Sequence, residues 1–120
     1  MDINYHIAFS PRRRKPVLVD DVGERLDGLI QEKAEELGVT LLNYQRKADF
    51  VYINVEAKPD LSINQIVHAF KVHTARHLRR EFFTLRRLPS MWTRKFLAST
   101  AKRMTYRDIR DFVETQSKRA

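Results

Sequence analysis

The chain has no cysteine in its 120 residues, which excludes disulfides, thiolate nucleophiles and cysteine-based metal sites. With only three glycines and four prolines, it contains no low-complexity segment and no internal repeat. No stretch approaches the roughly 18 consecutive apolar residues of a membrane span. The start MDINYHIAFSP lacks the basic leader and apolar run of a secretory signal, so the expected location is cytoplasmic, away from any membrane. What is present is 42% hydrophobic and 32% charged residues, the balance of a soluble globular protein. Its length suits one domain over residues 1–120.

The charge is unevenly placed. Residues 1–70 hold nine Lys/Arg against eleven Asp/Glu, whereas residues 71–120 hold fourteen against four. The net +8 therefore comes from the second half. A basic half of this kind concentrates phosphate groups around it, and does so without choosing DNA over RNA.

Hydrophobic periodicity orders the elements. INYHIAF at 3–9 suits a strand, and SPRRRKP at 10–16 an exposed basic turn. Asp20 or Asp21 is placed to cap a helix running to Leu37, with Val22, Leu26, Leu29, Ile30, Ala34 and Leu37 inward and Gly38 as its stop. VTLLNYQR and DFVYINVE then read as a hairpin joined through Lys47 and Ala48. In the second of these strands Val51, Ile53 and Val55 share one face, and Phe50, Tyr52 and Asn54 the other. Ser62 suits the cap of a helix to about Phe82, with Ile63, Ile66, Val67, Phe70, Thr74 and Leu78 inward and Lys71, His73, Arg76, His77, Arg79 and Arg80 outward. A last strand is expected at 91–98. A final helix follows at 105–117, opened by a capping box of Thr105 and Asp108. This order predicts an α+β, ferredoxin-like antiparallel sheet with helices packed chiefly on one face.

Three phrases, YHIAFSPRRRKPVL, INQIVHAFKVHTARHLRREF, and LPSMWTRKFLAST followed by TYRDIRDFVETQ, resemble the single-tyrosine, HUH-type transposases of small insertion sequences. These enzymes excise and join single-stranded DNA, and the resemblance spans nearly the whole chain. It implies a homodimer whose active sites combine groups from two subunits. It also implies two histidines, one residue apart on the third strand, that point at one divalent metal. Their positions match Phe50 and Tyr52. The implied nucleophilic tyrosine matches Phe112, and the glutamine that completes the metal site matches Gln116. Neither phenyl nor neutral phenol replaces an imidazole pair, and a benzyl group has no oxygen to attack phosphorus.

No other residues supply the missing chemistry by spacing alone. Tyr106 lies six residues before Phe112 and faces elsewhere on the helix. His68 and His73 are five apart, off one helical face, and the i,i+4 pair His73/His77 reads as basic or solvated surface. His6 reads as structural, so no metal site is expected. If Phe50 and Tyr52 meet Phe112, a former reaction centre has become an aromatic core cluster.

The leading expectation is a noncatalytic DNA-binding homologue, with a single-stranded stem-loop as the ligand the resemblance implies. Arg12, Arg13, Arg14 and Lys15 would meet phosphates from the early turn, and Arg76, Arg79 and Arg80 from the central helix, while Trp92 would stack on a base or fill a core edge. No cofactor is expected. Magnesium or manganese enters only under the alternative of an active transposase with a relocated tyrosine. A second alternative is a single-stranded RNA-binding module that stacks bases on exposed Phe50 and Tyr52. A third is an assembly protein whose interface has replaced its chemistry.

Overall fold

The computed structural model describes residues 2–100, 105 and 107–112. Strand β1 (Ile3–Phe9) leads through a basic turn to helix α1 (Asp20–Leu37), then to the hairpin β2 (Thr40–Lys47) and β3 (Phe50–Ala57). Helix α2 (Ile63–Glu81) follows, then a 3-10 segment (Phe83–Arg87) and strand β4 (Leu97–Ser99). Residues 107–112 are helical and are called α3. The sheet order is β2-β3-β1-β4, and every pair is antiparallel. This is the ferredoxin-like arrangement, with α1 and α2 each crossing between strands that are not neighbours in the sheet.

Period-two geometry divides the sheet into two faces. Tyr5, Ile7 and Phe9 of β1 and Val51, Ile53, Val55 and Ala57 of β3 form one core cluster with Leu26, Leu29 and Ile30 of α1 and Ile66, Phe70 and Leu78 of α2. Each fully buried side chain of this size contributes about 1.5–3 kcal/mol by leaving water. The register pairs Ile7 with Ile53 and Phe9 with Val51, so a slip of one residue would turn this apolar row away from the helices.

Helix ends follow their local chemistry. Gly38 closes α1 in the left-handed conformation (φ 74), which costs glycine little. Ser62 and Gln65 make a reciprocal capping box at the start of α2. At the start of α1, however, neither aspartate caps. Val19 occupies the cap position without a side-chain hydrogen bond, and Asp20 and Asp21 sit in the first turn, where their charge still complements the helix dipole. The hairpin turn falls at Ala48–Asp49, since Lys47 already pairs with Phe50. Gly23 permits a close approach: a Cβ there would collide with the Arg46 guanidinium. That guanidinium reaches over α1 to donate to Asp27 and to the Leu18 carbonyl.

The expected strand at 91–98 shortens to Leu97–Ser99. Met91 and Trp92 are consecutive and both buried, which an alternating strand over one core cannot provide. Instead the backbone is tied to the basic turn by an isolated bridge between Pro11 and Trp92. The Arg12 N–H donates to Met91 O and the Thr93 N–H to Ser10 O, both at 3.0 Å.

Candidate functional site

Two regions hold most of the residues singled out from the sequence. The first is the sheet face opposite α1 and α2. There Ala8, Phe50, Tyr52 and Ile109 form a separate buried cluster, with Leu97 and Phe112 packed against it. Phe50 and Tyr52, distant in sequence from Phe112, are thus brought together with it by α3. The helix is opened by the expected capping box, in which Thr105 N–H donates to Asp108 and Asp108 N–H to the Thr105 hydroxyl. These hydrogen bonds hold the Asp108 carboxyl below its ordinary range. Gln116 and Tyr106 lie outside the described residues.

Polar groups line the same face beside the rings. The Tyr52 hydroxyl and His6 Nδ1 are 2.6 Å apart, their rings stacked at 24°. Burial raises the Tyr52 pKa, because a phenolate loses solvation there. His6 is buried, and its Nε2 has no hydrogen-bond partner among the described residues. Asn54 donates to Asn4 Oδ1 and to Tyr5 O. Among the described residues, no group of three or more His, Asp or Glu is placed to hold a metal ion. Phe50 and Tyr52 are each 7% exposed. This overturns the reading of an open stacking platform for RNA, because a base needs a free ring face.

The second region is the basic turn. Arg13 and Arg14 adopt φ of 58° and 54°, a left-handed conformation that costs a non-glycine residue about 1–3 kcal/mol. Surrounding contacts hold them there. Arg14 Nε donates to Asp49 at 2.6 Å, Arg12 donates to the Ser90 hydroxyl, and Arg14 N–H bonds Pro11 O. Arg13 and Lys15 are exposed. Arg12, Arg13 and Lys15 share a cleft of about 200 Å³ with Arg87, Leu88 and Pro89. The 3-10 segment is therefore part of this basic surface. Sequence reasoning passed over Arg87, and the Arg86–Arg87 doublet beside a proline was the available signal.

On α2 the expected cations separate. Arg76 and Arg80 are exposed, whereas Arg79 donates to Leu88 O at 2.8 Å and so anchors the chain after the helix. Lys71 turns inward, donating to Thr93 O and Lys95 O, and burial pushes its pKa down to about 8. His73 faces α1, 3.3 Å from Glu32. Both positions flank the buried stripe of α2, and only the packing of α1 and of residues 93–96 decides that they are covered. Lys71 also lines a wider cleft of about 450 Å³ with Asn64, Gln65, Val67, His68, Arg94 and Phe96.

Trp92, expected either on a base or at a core edge, is in the core. It is 6% exposed, packs edge-on to Phe9 with ring centroids 4.7 Å apart, and donates from Nε1 to the Thr74 hydroxyl. Thr74 in turn donates its own hydroxyl proton to Phe70 O. Every polar atom of this contact is satisfied, which is the condition for burying an indole.

The fold and the cation-lined turn define a small ferredoxin-like α+β protein with a basic surface. The family model described as "Transposase IS200 like" matches residues 1–116, and the chain belongs to that HUH transposase family. It is 23% identical over 117 residues to the ISDra2 transposase TnpA of Deinococcus radiodurans, covering 95% of this chain and 84% of that protein. It is also 23% identical over 115 residues to the IS200 transposase of Salmonella typhimurium, covering 93% and 75%. A crystal structure of a candidate transposase from Deinococcus radiodurans superposes with a TM-score of 0.89 at 26% identity, over 97% of this chain and 92% of that one. A REP-associated tyrosine transposase bound to a REP hairpin shares the fold, with a TM-score of 0.58 and 15% identity over 93% and 62% of the two chains.

Proposed function

We propose that this chain is a noncatalytic member of its family that binds structured single-stranded DNA without cleaving or joining it. The observation that supports this most directly is the apolar cluster of Phe50, Tyr52, Ile109 and Phe112. It occupies the positions that, by resemblance, hold the metal-binding histidine pair and the nucleophilic tyrosine.

The side chains present do not fit the family's divalent metal. Phe50 offers no donor atom. Tyr52 offers a phenol whose pKa burial raises and that already meets His6. The same two properties count against Tyr52 as a relocated nucleophile, since attack on phosphorus needs the oxygen deprotonated and accessible. Phe112 has no oxygen at all. The apolar contacts stabilise the fold at a place where an active enzyme needs water, metal and a free hydroxyl.

The basic turn is independent of that cluster and is suited to phosphate. Arg12, Arg13 and Lys15 with Arg87 supply positive charge on one side of the molecule, and Arg76 and Arg80 add exposed charge on α2. Contacts of this type position a strand without reading its bases. A homodimer is the assembly that the resemblance implies, and the ligand class follows from the same source.

The test is one incubation of purified protein with labelled stem-loop DNA, with and without magnesium or manganese, run on native and denaturing gels. A native shift with no cleaved or protein-linked DNA is expected. A metal-dependent covalent product that survives denaturation would overturn the reading and redirect attention to Tyr52 and Tyr106.

A further inference from the structure

Phe83 is 65% exposed, the most open large apolar side chain among the described residues. It follows α2 closely, in the 3-10 segment Phe83–Arg87. Water contact at a lone phenylalanine is common on protein surfaces, so its neighbours decide whether it means anything. The Arg87 guanidinium lies 5.4 Å from its ring centroid, and the same Arg87 lines the cleft that contains Arg12, Arg13 and Lys15. One guanidinium therefore joins an open aromatic ring to three further cations, and among the described residues no carboxylate lines that cleft.

Both walls of the arrangement are held by the fold. Arg86 donates to Arg79 O and Arg80 O, and Arg79 donates to Leu88 O, so the 3-10 segment is pinned to the end of α2. The opposite wall is held by Arg12 to Ser90 and by Arg14 to Asp49. These contacts use Arg14 and part of Arg12 for anchoring, and leave Arg13 and Lys15 exposed. Like charges gathered in one cleft, on a backbone kept in a left-handed conformation, repel one another until an anion arrives.

We propose that Phe83 and this cleft form one site for an unpaired nucleotide of the bound strand. The backbone phosphate sits among Arg13, Lys15 and Arg87, and the adjoining base stacks on the Phe83 ring face that Arg87 leaves open. The inference rests on the nucleic-acid-binding reading above and adds a place and a chemistry to it. A phosphate held by cations tolerates any sequence, and so does stacking on a ring. The site therefore distinguishes unpaired from paired DNA, because only an unpaired base exposes its face.

The test compares wild type, Phe83→Ala, Phe83→Tyr and the double variant Arg13→Ala/Lys15→Ala. The probes are a blunt DNA hairpin and the same hairpin carrying an unpaired thymine tail, each titrated across a range of salt. The substituted side chains are all exposed, and circular dichroism confirms the fold of each variant before titration. Phe83→Ala is expected to weaken tailed-hairpin binding by between about fivefold and a hundredfold, to leave blunt-hairpin binding unchanged, and to be rescued by Phe83→Tyr. The double variant is expected to reduce the salt dependence by about 0.7 in logarithmic slope for each phosphate it no longer neutralises. Equal binding by Phe83→Ala and wild type, or equal losses on both hairpins, overturns the site while leaving DNA binding intact. An unchanged salt slope in the double variant removes the phosphate cleft from it. Failure of the wild type to bind either hairpin overturns the broader reading first.

Discussion

The two faces of the sheet have been put to different uses. Under α1 and α2, β1 and β3 present Ile7, Phe9, Val51, Ile53 and Val55, each with no exposed surface. Across the sheet, the alternate residues of the same strands are His6, Ala8, Phe50, Tyr52 and Asn54, and the short α3 packs on this side through Ile109 and Phe112. The first face is apolar throughout the strand centres. The second mixes rings with an imidazole, a phenol and an amide, and leaves one buried nitrogen of His6 unpartnered among the described residues. A face selected only for stability has no reason to bury such groups. The second face is thus the more polar of the two, its rings packed beside the His6 imidazole and the Asn54 amide.

Breaking the first face should have the largest effect. Ile53→Ala removes a fully buried side chain from the centre of β3 and is expected to cost about 2–5 kcal/mol of unfolding free energy, read by urea denaturation. A loss below about 1 kcal/mol would mean that the helices close readily over the gap and that the two faces differ less than their composition says.

Placing imidazoles on the second face tests the proposed match of positions 50 and 52 to the family's histidine pair. Phe50→His with Tyr52→His is expected to destabilise the protein by about 1–3 kcal/mol for each polar group buried without a partner. Manganese should then raise the Tm of this double variant and leave that of the parent unchanged. If metal moves neither, positions 50 and 52 do not present a metal-binding geometry.

The smallest effect lies beneath the first face, between the helices. Burial lowers the pKa of His73, assisted by His77 and Lys33 and opposed by Glu32 and Glu36. A histidine with a folded-state pKa below the ordinary 6.5 binds fewer protons folded than unfolded. Its contribution is therefore complete above the ordinary value and is lost as pH falls through it towards the folded one. Unfolding free energy should drop as pH falls from about 7.5 to about 5.5, and His73→Gln should flatten that part of the profile. An unchanged slope in the variant would assign the acid sensitivity to another group.

Much of this was legible in the order of residues. The alternation in DFVYINV separated the faces correctly, the stripe from Ile66 to Leu78 marked the inner side of α2, and Ser62 and the pair Thr105/Asp108 marked helix starts. Each is a local pattern, set by strand and helix periods or by a side chain reaching three residues along its own backbone. The absence of histidine at 50 and 52 and of tyrosine at 112 was equally plain. Positions that depend on distant partners were not legible. Trp92 has no fixed place until Thr74 and Phe9 are beside it. Lys71 passes for surface until the carbonyls of residues 93 and 95 close over it, and the Ala48–Asp49 turn depends on cross-strand register.

The sequence by itself therefore determined the element order, the two-faced sheet, the basic second half and the chemical character of positions 50, 52 and 112, because these are properties of a residue or its near neighbours. Only the tertiary structure decided that Phe112 packs against the buried cluster of Phe50 and Tyr52, and that the turn at residues 12–15 shares a cleft with Arg87 and reaches Phe83 through it. Those associations depend on helix packing and strand pairing between segments far apart in the chain, where the free energy of burial and the geometry of long-range hydrogen bonds choose the neighbours.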